Sequence, residues 1–214
     1  MPIQLRCLVL LALSAAAPLS AQERKEPKPQ VPAVGLATAG LAGQTVAVLP
    51  LTMVVSDPRI PGGTGAKARA GFLRWADSLL ADALLERATE VKWLLPADLR
   101  RIAQRSAGLM PSPDQMGQAV MRSPALKDVP DPLRSYIRQL VALTGGARYA
   151  LIPAALYLTP EPGDSLKVQL AAVLADGRLG RVVWRTLAVG RGETATDALR
   201  AALGTIVASD APPP

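Results

Sequence analysis

Histidine is absent from this chain, and cysteine occurs once, at Cys7, among 214 residues. Without imidazole there is no Ser–His–Asp or Cys–His nucleophile system. The ligand sets of the usual structural and catalytic zinc sites are missing too. Aromatic residues make up 3% of the chain, too few to build a stacking platform for nucleic-acid bases. No D-x-D-x-D-G run offers a calcium loop. The expectation is therefore no catalytic residue, no cofactor and no metal. Carboxylates are the remaining route to acid–base chemistry.

The beginning of the chain carries a different kind of information. Met1 to Arg6 is a short segment with one positive charge, and Cys7 to Ala17 is almost wholly apolar, interrupted by Ser14. Pro18 and Leu19-Ser20-Ala21 precede the charged Gln22-Glu23-Arg24. This is the order of an export signal with a cleavage site near Ala21. The apolar stretch falls short of the ~20 residues that span a bilayer; the alternative is an uncleaved anchor. Cys7 lies before the apolar stretch, whereas a lipid-modified cysteine would follow it. The expected product is periplasmic or secreted, and with Cys7 removed it has no thiol and no disulfide.

Lys and Arg number 24 against 17 Asp and Glu, a net charge of +7. A basic surface can meet nucleic acid, anionic lipid or an acidic partner. Export argues against nucleic acid. Arg69, Arg74, Arg100, Arg101, Arg105, Arg178, Arg181 and Arg185 are spread along the sequence and read as a solvated surface.

Residues 22–44 mix charge, proline, alanine and glycine without periodicity, which predicts a mobile tether. Residues 209–214 predict a frayed tail. Between them lies one expected domain, 45–208. Thr45 to Thr52 is a short apolar run with β-branched residues, a buried strand that Val54 and Val55 could prolong. A helix is expected over 66–89, with Phe72, Ala76, Leu79, Leu80, Ala83 and Leu84 inward and Arg74, Asp77, Asp82, Glu86 and Arg87 outward. Val91 to Leu95 is a second strand. Pro96 opens a helix from its first turn, and Gly108 ends it. An insertion at 108–131 follows, with Ser112 as N-cap of a short helix and Pro113 as its first residue. Pro132 to Thr144 is a further helix stopped by Gly145-Gly146. Ala147 to Leu158 is a strand in which Pro153 calls for an edge or a bulge. Leu166–Ala175 and Leu179–Val189 flank Asp176-Gly177, the signal of a hairpin. Thr194 or Thr196 caps a last helix ending at Val207. The order β-α-β-α-(insert)-α-β-β-β-α predicts an α/β fold, one mixed sheet of about five strands with helices packed on it.

Three local patterns carry a resemblance. They are the opening strand Val46-Ala-Val-Leu-Pro-Leu51, the strand Ala147-Arg-Tyr-Ala-Leu-Ile152 after a Gly-Gly helix end, and the hairpin Val173 to Trp184. In this order they resemble the α/β domain of the curli-secretion assembly proteins and the N-terminal domain of the Tol–Pal translocation protein. That resemblance covers about residues 45–207 and implies an envelope domain that binds proteins or assembles. It supplies no catalytic residues.

Candidate sites are few. Pro61-Gly-Gly-Thr-Gly-Ala-Lys67 lies between a strand and a helix but lacks the glycine before the lysine and the hydroxyl after it, so it reads as a loop rather than a phosphate cradle. A glycosidase pair needs facing carboxylates about 5–10 Å apart. Asp77, Asp82, Glu86 and Glu90 read instead as solvated helix charges, Asp128 and Asp131 as turn or cap residues, and Asp57 and Asp176 as isolated turn residues. Trp93 and Trp184 read as ordinary buried side chains. In the insertion, Met110, Met116, Val120 and Met121 are the candidate partner-binding residues, because methionine adapts to irregular surfaces. The competing reading is that this segment covers the sheet. The Ala147–Leu158 strand offers a second route to assembly if it is an edge.

The sequence thus points to an exported envelope protein acting as a non-catalytic interaction or assembly domain. A carboxylate-dependent hydrolase and a basic surface for cell-wall polymer or anionic lipid are the alternatives. Envelope proteins, a second copy of the chain, and peripheral membrane or cell-wall contact are the candidate partners.

Overall fold

The computed structural model describes residues 34–60 and 66–207. The expected export signal, the tail 209–214, and tether residues 22–33 lie outside the described residues, as do residues 61–65 of the loop before the first helix. The elements are β1 (Thr45–Val48), β2 (Val54–Ser56), α1 (Ala66–Arg87), β3 (Lys92–Leu94), α2 (Pro96–Arg105), α3 (Leu133–Leu143), β4 (Tyr149–Pro160), β5 (Leu166–Asp176), β6 (Val182–Gly192) and α4 (Ala195–Ile206). They form the mixed α/β fold read from the sequence. The strands make one six-stranded sheet in the order β3-β1-β4-β5-β6, with β2 also paired to β4. β1 runs parallel to β3 and to β4, and β4–β5–β6 is an antiparallel meander.

Both faces of the sheet are covered, which explains the continuous apolar run in β1. Val46 and Val48 enter a core with Leu79, Leu80 and Leu84 of α1 and Leu199, Leu203 and Ile206 of α4. Ala47 and Leu49 enter a second core with Leu99 of α2 and Leu133, Ile137 and Leu140 of α3. Leu84, Leu99 and Leu140 are fully buried; truncating such a residue to alanine costs about 2–5 kcal/mol.

Pro153 occupies a bulge, where the β4–β5 register shifts between Pro153 and Ala155. Before the bulge Leu151 faces the α1/α4 core and Ile152 the α2/α3 core; beyond it Leu156 and Leu158 face the α1/α4 core. The extra residue reverses which parity of β4 points to which layer. It also coincides with the gap between β1 and β2, so the missing proline N–H interrupts no continuous ladder. β4 is consequently an interior strand. The expectation of an open edge at 147–158 is corrected: β3 and β6 close the ends of the strand order. Val54 and Val55 form a separate strand opposite Leu156 and Tyr157 rather than a prolonged β1.

The tether reading fails for residues 34–44. Thr38–Leu41 is a 3-10 turn, and Leu36 and Leu41 are buried. Leu36 N donates to Ile206 O at 2.7 Å. Trp184 Nε1 donates to Val34 O at 3.2 Å and Gly35 O at 3.1 Å. Burial of two leucines, at about 2 kcal/mol each, adds to these hydrogen bonds in holding an Ala/Gly-rich segment on the fold. Trp93 and Trp184 are both half-buried, with the Trp93 indole N–H on Ala88 O at 2.9 Å.

Local signals behaved as their chemistry requires. Pro96 opens α2, with Asp98 Oδ2 accepting from Leu95 N at 3.2 Å. Thr194 caps α4 by accepting from Asp197 N at 3.2 Å. Ser112 caps a 3-10 turn, Pro113–Gln115, rather than an α-helix.

Candidate functional site

β1 is the strand at which the sheet changes direction. The chain leaves it through α1 to β3 on one side and returns through α2, the insertion and α3 to β4 on the other. Such a switch point leaves a crevice beyond the carboxyl end of the strand. A cleft of 620 Å³ lies here between α1 and α2, with Leu73, Arg74, Ala103, Gln104, Ala107 and Met110 on its walls.

One ionic group holds the cleft together. Asp77 of α1 is 4% exposed. Its Oδ1 accepts from Leu51 N at 2.8 Å and its Oδ2 from Arg100 Nη2 at 2.6 Å. The same Arg100 nitrogen donates to Asp114 Oδ1 at 2.7 Å, and Arg100 Nε reaches Asp114 Oδ2 at 3.0 Å. Acceptance at both oxygens is the arrangement of an ionised carboxylate. Burial pushes the Asp77 carboxyl above the ordinary carboxylate range, partly offset by the Leu51 N–H and Arg100. Asp114, then Asp77, hold the Arg100 guanidinium still more firmly protonated than usual. A second tie runs alongside. Gln118 is fully buried, and its Nε2 donates to Pro50 O at 3.2 Å and Pro113 O at 2.6 Å. Asp77, the loop after β1, Gln118, Pro113-Asp114 and Arg100 therefore close a polar circuit around the crevice.

Asp77 is a correction to the sequence reading, which placed it on the solvated side of α1. Asp82, Glu86 and Glu90 are exposed as expected. The signal for Asp77 was present: it stands three and seven residues before Leu80 and Leu84, inside the apolar stripe. Asp114 and Gln118 were missed because their partners lie on other segments. Arg74, exposed at the cleft wall, makes no salt bridge among the described residues.

The methionine segment resolves differently from the partner-site expectation. Met116 and Met121 are 2% and 0% exposed, and Met110 is 9% exposed. All three belong to the α2/α3 core, so the insertion covers the sheet. Arg185 of β6 fastens it, donating to Met121 O at 2.5 Å and Leu126 O at 2.9 Å. Val120 alone of the four is exposed, and Met110 alone reaches the cleft.

The remaining carboxylates are local. Asp57 pairs with Arg59, which holds its carboxyl down to about 2. Asp131 pairs with Arg134 and Ser135, and its carboxyl is held low by them. Asp176 Oδ1 accepts the turn N–H groups of Arg178 and Leu179 at 2.9 and 2.8 Å. No group of three His, Cys, Asp or Glu side chains is arranged for a metal ion among the described residues. No described helix is long and apolar enough to cross a membrane.

No family model and no curated protein matches the chain. Solved structures similar to it include the LpoB C-terminal domain from Salmonella enterica, at 16% identity over 72% of this chain and 84% of that one, TM-score 0.36. Lipoprotein GNA1162 from Neisseria meningitidis aligns at 17% identity over 70% and 81%, TM-score 0.37. The PelC dodecamer from Paraburkholderia phytofirmans aligns at 17% over 84% and 95%, TM-score 0.36. Identities and TM-scores this low assign the chain to no family.

Proposed function

We infer that this is an exported, non-catalytic envelope domain that works by protein contact, with the cleft between α1 and α2 as its contact site. The observation that supports this reading is the commitment to Arg100 of both Asp114, the carboxylate on the cleft wall, and Asp77, buried behind it. A carboxylate that moves protons or attacks a sugar carbon needs a free oxygen facing the substrate. Asp77 has both oxygens occupied and lies behind Arg100; Asp114 is shared with the same guanidinium. What the cleft offers a partner is an apolar floor of Leu73, Ala103 and Met110 beneath the polar ends of Arg74 and Gln104, the mixture expected of a contact pocket.

The test is a photo-crosslinking residue at Gln104 in intact cells, read by mass spectrometry. A discrete protein adduct that Ala107→Trp abolishes by filling the cleft is the expected result. Ala107 is exposed, so the substitution leaves the core intact. Absence of any discrete adduct, or substrate turnover by the purified chain that Asp114→Asn abolishes, overturns the reading.

A further inference from the structure

The turn between β5 and β6, Asp176 to Arg181, gathers basic side chains from several segments. Arg138 of α3 donates from Nε to Arg178 O at 3.0 Å. Arg148, just before β4, accepts from Gly177 N through its carbonyl at 2.8 Å, and its guanidinium stands 3.7 Å from Asp176. Arg134 lies against Gly180, where a Cβ would sit 2.6 Å from Arg134 Cδ. The backbone of Arg181 pairs with that of Asp128 in an antiparallel β-bridge, and Val182 N donates to Lys127 O at 2.9 Å. Lys127, Arg134, Arg138, Arg148, Arg178 and Arg181 thus surround one turn. Basic residues that look scattered along the sequence converge in space.

Three carboxylates lie nearby against these six basic groups, and only Asp128, exposed beside Arg181, is unengaged among the described residues. Asp131 is committed to Arg134, and Asp176 to the turn's own N–H groups. Arg138, Arg178 and Arg181 are exposed and make no salt bridge among the described residues. Arg138 and Arg178 stand on the walls of a 370 Å³ hollow between α3 and the turn. At the apex, between Arg178 and Arg181, Leu179 is 63% exposed. The turn is also fixed. A Cβ on Gly177 would lie 2.6 Å from Val141 Cγ2, and Gly180 has φ +74°, so the apex is presented by a braced backbone.

We propose that this turn docks the domain on a bilayer rich in anionic phospholipid, with Arg138, Arg178 and Arg181 on headgroup phosphates and Leu179 in the acyl boundary. Guanidinium groups suit phosphate oxygens, and each cation near an anionic surface strengthens binding. One leucine alone anchors nothing, but an apolar tip inside a basic ring gains from an interface that is charged outside and apolar within. A soluble polyanion would use the arginines and leave Leu179 in water, so the leucine decides between the two. The turn lies at the opposite end of the sheet from the cleft, so docking leaves the cleft free, and the two assignments stand or fall separately.

The test uses the chain from Gln22 onward and vesicles of phosphatidylglycerol and phosphatidylcholine in flotation assays. Binding to the mixed vesicles, absence of binding to phosphatidylcholine alone, and loss in high salt are expected. The triple variant R138Q/R178Q/R181Q should bind about a hundredfold more weakly, and Leu179→Ser roughly tenfold more weakly. Because the chain from Gln22 has no cysteine, Leu179→Cys can carry a polarity-sensitive dye. Its emission should shift to the blue on the mixed vesicles, and a dye at Arg105→Cys should not move. Unchanged binding of the triple variant overturns the proposal, as does a dye at position 179 that stays in water. Binding to dextran sulfate as tight as to vesicles, with Leu179→Ser indifferent in both, replaces the membrane with a soluble polyanion.

Discussion

At the carboxyl end of β1 a single guanidinium, Arg100, is shared by two carboxylates, one of them 4% exposed. At the other end of the sheet, Arg138, Arg178 and Arg181 stand exposed around the β5–β6 turn and make no salt bridge among the described residues. The first arrangement fixes structure: a buried charge must be matched, and once matched it ties α1, α2 and the insertion together. The second leaves charge in solvent, where it costs the fold little and stays available to a ligand. Charged residues in one small domain therefore divide into those the fold consumes and those it exposes.

The largest expected effect tests the consumed set. Asp77→Ala leaves Leu51 N–H without its acceptor and removes one carboxylate from Arg100. It should destabilise the domain by about 3 kcal/mol, read by urea denaturation; a loss below about 1 kcal/mol would make Asp77 an ordinary surface charge. Next comes the scaffold of the exposed set. Gly177→Ala drives a Cβ to 2.6 Å from Val141 and 3.2 Å from Arg148 O, for about 2 kcal/mol. It should also weaken vesicle binding, because the arginines lose their common platform. A fully stable variant would show that the turn is looser than its packing implies.

The two ends should also differ in the sign of their pH dependence. Asp77 is raised above the unfolded value of 3.8, so the folded state holds its proton more tightly. Its contribution is fullest below that value and falls as pH rises through the folded pKa. Asp131 is lowered from 3.8, so its contribution is present above that value and is lost as pH falls through the folded pKa. The stability difference between the parent and Asp77→Asn should therefore shrink with rising pH from 3.8 upward. The difference between the parent and Asp131→Asn should shrink with falling pH below 3.8. Parallel melting series in one buffer set check both, and slopes of like sign would erase the distinction. The smallest effect is Arg178→Gln, expected to change stability by less than about 0.5 kcal/mol while lowering vesicle binding. A large loss of stability would move Arg178 into the consumed set.

Much of the fold was legible in the sequence. The β5–β6 hairpin, the Pro96 start of α2, and the Thr194 cap of α4 depend on residues within a few positions of one another. The bulge at Pro153 was half legible: a proline without an N–H predicts a break in the ladder, but not that β4 is interior. Residues 34–44 were misread because composition alone hid the fit of Leu36 and Leu41 between sheet and helix. The site was least legible. Asp77 carried a signal through its spacing to Leu80 and Leu84, whereas Asp114 meets Arg100 only because the insertion folds back over α2. Met116 and Met121 are core for the same reason.

By itself the sequence determined the absence of imidazole chemistry, the alternation of strands and helices, and the turns. These follow from side-chain identity and from spacings of two to four residues, which local geometry enforces. The tertiary structure decided which charges are matched. Arg100 reaches Asp77 across 23 residues and Asp114 across 14, and the arginines of the β5–β6 turn meet from segments separated just as widely. Ion pairing and charge clustering depend on distance through space, and only the packed sheet and helices set those distances.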